Sequence, residues 1–274
     1  MKVLAVIGVI IALTGNTYAW SVENLGNPPN SSNWEYRCSI DNDGDKIFFN
    51  RDDGKIYLSH KTGNWSNPTA LPAPINNPGA SHPFWDANNN DLYFVGGSSS
   101  ADIFYCHWNG SSWESTKHSV GSAINSGDNE YASCLSPDGR YFYFTRGNGG
   151  DIYVANWNPA THTGSNVRSA GIGRGYSCSY RNGCLYFSST YNYGGGRGDN
   201  DCWKASGSGA NFNTPENLPF NTGSSDSSPS IDGCGRIFFA STRNGGHGAV
   251  DLYVYDPETA VEETSIGRIK ALYH

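Results

Sequence analysis

Methionine occurs once in this sequence, charged residues make up only 16% of it, and the 18 lysines and arginines are outnumbered by 25 aspartates and glutamates. Nucleic-acid binding needs clustered positive charge, and no basic run is present, so no nucleic-acid partner is expected. Beyond the first residues no apolar stretch is long enough to span a bilayer, so no transmembrane segment is expected in the mature chain. The seven cysteines contain no Cys-x-x-Cys pair and the seven histidines no His-Glu-x-x-His, and a Gly-x-Ser-x-Gly elbow is also missing. Zinc, redox and serine-nucleophile chemistry therefore lack a local signature, and no metal or cofactor is expected. Glycine-rich runs such as Gly194 to Gly198 join strand-like segments and do not open a helix, which excludes a phosphate loop.

The first residues are different. Met1-Lys2, the apolar run Val3 to Leu13 and then Thr17-Tyr18-Ala19 have the charged start, short apolar core and small-residue cleavage site of a secretory signal. Residues 1–19 are set apart on this reading, the mature chain starts at Trp20, and a secreted, periplasmic or cell-surface location is expected. Disulfides persist in such compartments, but seven is an odd number, and buried small apolar thiols are the simpler reading of the cysteines.

What the chain has in quantity is glycine, 34 residues, and aromatic side chains, 14%. They are ordered in a repeat. Its clearest copy is Ser136-Pro-Asp-Gly-Arg, the strand-like Phe142-Tyr-Phe144, a Gly-rich turn, and Asp151-Ile-Tyr153. Inner strands are expected at Tyr36 to Ile40, His82 to Trp85, Tyr131 to Leu135, Tyr176 to Tyr180 and Ser228 to Ile231. Aromatic-led outer strands are expected at Trp20 to Leu25, Trp65 to Leu71, from Trp113, near Thr163 to Val167, and at Phe212 to Leu218. Residues 55, 102, 151, 201 and 251 begin the matching third strands at intervals of 47, 49, 50 and 50, a period that belongs to sheet-per-repeat architectures.

Five copies predict an all-β, five-bladed β-propeller of four-stranded antiparallel blades over residues 20–257, followed by a tail, 258–274. The last unit has no outer strand after it and the first outer strand has no unit before it, so the N-terminal strand is expected to close the last blade. The acidic segment Asp41-Asn-Asp-Gly-Asp45 occupies the position of Pro137-Asp-Gly139 in the repeat and is read as a turn; it lacks the distal glutamate of a calcium loop.

With those residues assembled, the repeat resembles the TolB-like, or WD40-like, β-propeller repeat of exported bacterial proteins, most clearly at Ser136-Pro-Asp-Gly-Arg with Phe142-Tyr-Phe144 and at Phe239-Ala-Ser-Thr-Arg to Asp251-Leu-Tyr-Val254. The resemblance implies a binding platform. In a propeller the ligand meets the axial channel, which makes Tyr36, Arg37, His82, Trp85, Tyr131, Arg174 and Tyr176 the candidate ligand residues. The tyrosines recur at matched positions, as packing between blades also requires. The expected function is a non-catalytic recognition module for carbohydrate or a protein partner. One alternative is a propeller glycosidase or polysaccharide lyase whose channel carboxylates would come from Glu35, Glu130 and Asp226; another is a structural cell-surface protein.

Overall fold

In a computed structural model, residues 19–97, 100–147 and 150–259 are described. All but the last residue of the expected export signal, and nearly all of the tail, lie outside them. The described residues form five antiparallel sheets and no helix. The innermost strands are Tyr36–Ile40, Ser81–Asp86, Glu130–Leu135, Tyr176–Arg181 and Asp226–Ile231, and each contacts the innermost strand of the next blade until the fifth meets the first. The chain is a five-bladed β-propeller.

The expected closure is present. Ala19–Asn24 lies antiparallel to the last strand, Asp251–Thr259, and completes blade five. That last strand runs two residues past the expected end of the repeat.

Each blade's second strand carries an apolar triplet whose middle residue faces the opposite way from its neighbours, as the two-residue period of a strand requires. Ile47 and Phe49 pack toward blade five with Phe238 and Leu252, whereas Phe48 packs toward blade two with Leu92 and Phe94. Phe142 and Phe144 join Tyr93 and Ile103 of blade two, while Tyr143 joins Leu185, Phe187 and Trp203 of blade four. The fifth cluster, with Phe220, Phe239 and Tyr253, joins blades four and five. There are thus five cores, one at each joint.

Proline interrupts the outer strands of blades one and four. Pro68 splits the outer strand of blade one into Asn64–Trp65 and Thr69–Ala70, and Pro215 splits that of blade four into Asn211–Phe212 and Glu216–Asn217, because proline cannot donate to the ladder. The corresponding strand of blade three, which reads as degenerate in sequence, has no proline and runs unbroken over Thr163–Arg174.

Val22 and Leu25 of the closing segment pack into the cores on either side of blade five. Deleting the chain up to Leu25 is expected to cost about 3 kcal/mol or more from this burial alone. Urea unfolding followed by circular dichroism checks it; an unchanged midpoint would show that the ring closes by other means.

Candidate functional site

The innermost strands enter the ring from one face, where the linkers between blades and the loops joining second to third strands also lie. The hairpin turns between first and second strands lie on the opposite face. These are called the linker face and the turn face.

Every innermost strand has a bulge just inside the linker face. The second position of the repeat, Arg37, His82, Ala132, Ser177 and Ser228, has φ of 55°, 51°, 36°, 51° and 58°, and the ladder register shifts at each. A left-handed conformation costs a non-glycine residue roughly 1–2 kcal/mol, and a bulge re-aims the side chains around it. Here it directs the second and third repeat positions to the axis. Arg37, Cys38, His82, Pro83, Ala132, Ser133, Ser177 and Cys178 line a waist with free space of about 10 Å³, room for about one water. The channel is therefore two blind mouths.

At the linker-face mouth the structure brings together four of the residues expected to bind ligand. The Arg37 guanidinium lies 5.0 Å from the centre of the Tyr36 ring, and the His82 ring 5.7 Å from that of Tyr131. Burial holds the His82 imidazole well below its usual pKa, with the Arg37 charge adding to the effect, so the ring is neutral in the fold. From Tyr36 and Arg37 a groove of about 590 Å³ runs outward over blades one and two, past Asn50, Gly79, Gly96 and Asn129. Tyr176 packs on the backbone of Gly150, where a Cβ would collide with its ring, so it is a packing residue at the edge of the mouth. Arg174 is exposed on the same face, and its carbonyl accepts the Tyr193 hydroxyl at 2.5 Å. Trp85 does not join them. It lies beyond the waist at the turn-face mouth, stacked on Phe48 at 5.4 Å and edge-on to Trp113 at 6.0 Å.

Glu35, Glu130 and Asp226 are fully buried in three copies of one device. In each, a hydroxyl residue four positions earlier donates its backbone N–H and its hydroxyl to the carboxylate. Ser31 and Ser126 do so at 3.1 and 2.5 Å, and Thr222 at 2.7 and 2.9 Å. An arginine closes it: Arg51 and Arg146 donate Nε at 2.9 Å and Arg243 donates Nη2 at 2.8 Å, each also reaching a linker carbonyl. The guanidinium planes lie over Tyr57, Tyr153 and Tyr253 at 4.7, 5.1 and 5.0 Å. Such charge-assisted pairs fasten the linker to the second strand. Blades two and four replace the acid by Ala80 and Gly175, whose carbonyls accept from Asn50 and Thr145.

Sequence reasoning passed over two aromatic side chains of the linker face. Trp34 and Tyr191, 52% and 55% exposed, are the large hydrophobic residues left in solvent among those described. Trp34 is pinned by a bridge to Val250, and the Tyr191 loop is tied down by Asn192 and Asp201, which accept from Gly194, Gly196 and Arg197. The usable signal is that both stand outside the matched positions of the repeat. The turn-face mouth, about 560 Å³, was passed over as well; its rim is made by the ends of innermost strands and the hairpin turns that follow them, at Asn42, Asp86, Asn88, Asp138, Arg181 and Asn182. Asp86 is pushed up by burial, whereas Asp138 is held down by the Ser136 hydroxyl that donates to it at 2.6 Å. Asp41 accepts from the N–H groups of Gly44, Asp45 and Lys46, the bonding of a turn. Among the described residues no three metal-ligating side chains gather, and the seven cysteines are free thiols, Cys134 and Cys178 lying 3.2 Å apart across blades three and four.

No family model and no curated protein sequence matches this chain. Solved structures do. The GH43 endo-arabinanase from Bacillus licheniformis aligns with a TM-score of 0.55 at 13% identity, covering 82% of this chain and 94% of that one. A gluconolactonase from Xanthomonas campestris gives 0.52 at 11%, covering 85% and 88%. TolB from Acinetobacter baumannii gives 0.43 at 16%, covering 81% and 54%, too low to carry an argument. At such identities the likeness shows the propeller fold and nothing narrower.

The buried pairs and His82 each lead to a measurement. Arg146→Ala strands the Glu130 carboxylate and is expected to cost about 3–5 kcal/mol, and Glu130→Gln about 1–3 kcal/mol; chemical denaturation reads both. His82 is neutral when folded but takes up a proton below its ordinary 6.5 when unfolded. Its contribution is therefore complete above that pH and is lost as pH falls, at no more than about 1.4 kcal/mol per pH unit. Between pH 7.5 and 5.5, His82→Gln should lose less stability than the parent chain, and equal losses would contradict the assignment.

Proposed function

We propose that this protein is a recognition module that holds a saccharide chain on its linker face without cleaving it. The observation that carries the reading is the position of Trp34 and Tyr191, two anchored aromatic side chains exposed on the face that also carries the Tyr36, Arg37 and Tyr131 mouth. Rings of this kind pack on the apolar faces of sugars while polar tips fix orientation. The carboxylates nearest this mouth, Glu35, Glu130 and Asp226, are engaged by arginines and hydroxyls, which suits binding better than turnover.

A second reading has its own observation. Asp86 and Asp138 line the same turn-face mouth and are pushed in opposite pKa directions, the arrangement of an acid and its ionised partner. The arabinanase neighbour makes arabinan the first polysaccharide to try for this glycosidase alternative. A purely structural role accords with the closed waist but leaves both mouths without a use.

Calorimetry against a panel of oligosaccharides should find binding that Trp34→Ala and Tyr191→Ala each weaken about tenfold, with an unchanged circular dichroism spectrum. Undiminished affinity in both variants would remove the linker-face site. Release of reducing ends that disappears with Asp86→Asn or Asp138→Asn would establish the glycosidase instead.

A further inference from the structure

Arg37 is set apart from the other arginines near the axis. Arg51, Arg146 and Arg243 each donate to a buried carboxylate, Arg236 does so to Asp232, and Arg181 and Arg197 donate to Asn42 and to the carbonyl of Asn221. The Arg37 guanidinium has the Tyr36 ring beneath it and, among the described residues, no carboxylate or other hydrogen-bond acceptor. It is not out in solvent either. Its left-handed backbone, φ 55°, turns it toward the axis, where it borders both the closed waist and the groove over blades one and two. Burial lowers its pKa, with Tyr36 and Tyr131 the groups that act in the opposite sense.

A half-buried cation without a counter-ion is costly to hold, and leaving water is offset only when an anion arrives. Nothing nearby supplies one. Glu35, next to Tyr36, is bonded to Arg51, Ser31 and nothing on the mouth side, and His82 is neutral. The protein as a whole has a formal net charge of −7, so the mouth is a local positive spot on an acidic molecule. A guanidinium offers a planar fork of donors that matches a carboxylate with two parallel hydrogen bonds. Four of the described residues lining the groove beside it, Gly54, Gly79, Gly96 and Gly97, carry no side chain, so a ring can approach the backbone there.

Resting on the saccharide reading above, we propose that the linker-face mouth selects an acidic saccharide, placing the carboxylate of a uronic acid residue on Arg37, against the rings of Tyr36 and Tyr131. The neighbouring sugars continue across the linker face. Arg37 supplies the charge and the fork, and the aromatic rings supply the stacking surface.

The test is calorimetric titration with three probes of equal length: an oligogalacturonate, the same oligosaccharide with its carboxyl groups reduced to alcohols, and a sulfated neutral oligosaccharide. The parent chain is expected to bind the uronate about 10- to 100-fold more tightly than the reduced form, with the preference shrinking as salt is added. Arg37→Gln should abolish that preference, and Arg37→Lys should lose most of it, because a point charge does not reproduce the fork. Arg37 has no hydrogen-bonded acceptor to lose, only its contact with the Tyr36 ring, so Arg37→Gln is expected to melt close to the parent; a melting temperature lower by more than about 5 °C would show that the side chain is structural. Equal affinity of the parent for the uronate and its reduced form overturns the proposal and leaves the saccharide reading standing. Equal preference for the sulfated probe overturns the carboxylate assignment. Failure to bind any of the three overturns the saccharide reading together with the proposal. The parent comparison stands without any variant.

Discussion

The alternation of side chains along the second strand of each blade is the constraint on which the rest of the molecule depends. Because Phe48 faces one neighbour while Ile47 and Phe49 face the other, no blade owns a core, and every core is shared at a joint. With no helix among the described residues, a sheet with two apolar faces is covered here by two more sheets, and the covering ends when the array meets itself. The closing strand Ala19–Asn24 follows from that requirement, since an unfinished blade five would leave a ladder edge open beside two of the shared cores.

The same requirement determines what is free for function. Side chains of the second strands and the inward ones of the third are consumed at the joints, and the channel chemistry falls to the axis and to the loops of the two faces. On the axis the five bulges decide what is presented. By placing a left-handed residue at one position in every innermost strand they direct short side chains, Ser133, Ser177 and Cys178, to the waist, together with two longer ones, Arg37 and His82, on the adjacent blades one and two. The mouth is lopsided as a result, with its cationic and aromatic content gathered over those two blades and over Tyr131.

The sequence made the fold legible because fold is written in what recurs. Turn residues at matched spacing, the Ile-Phe-Phe type of triplet and the orphan strand at Trp20 led to the blade number and the closure. The site is harder to read because it is written in departures from the repeat. Glu35, Glu130 and Asp226 recur at matched positions and were candidates by their charge, but recurrence of an acid with a serine or threonine four residues before it and an arginine some sixteen residues after it marks a structural clip. Trp34 and Tyr191 follow no such rule, and their exposure is informative because the other large hydrophobic side chains among the described residues are wholly or partly covered. The bulges could not be foreseen from residue type, because arginine, histidine, alanine and serine carry no preference for positive φ of the kind that glycine does.

The closed waist makes this propeller a two-sided plate. A molecule seated at Arg37 and another seated between Asp86 and Asp138 would lie back to back, out of reach of each other, with no passage for exchange along the axis. Each side then keeps its own affinity and its own choice of partner unless the strands between them shift, and the elements spanning that distance are the five strained turns of backbone at the waist. Communication between the faces, where it occurs, is a matter of how those five residues share their strain.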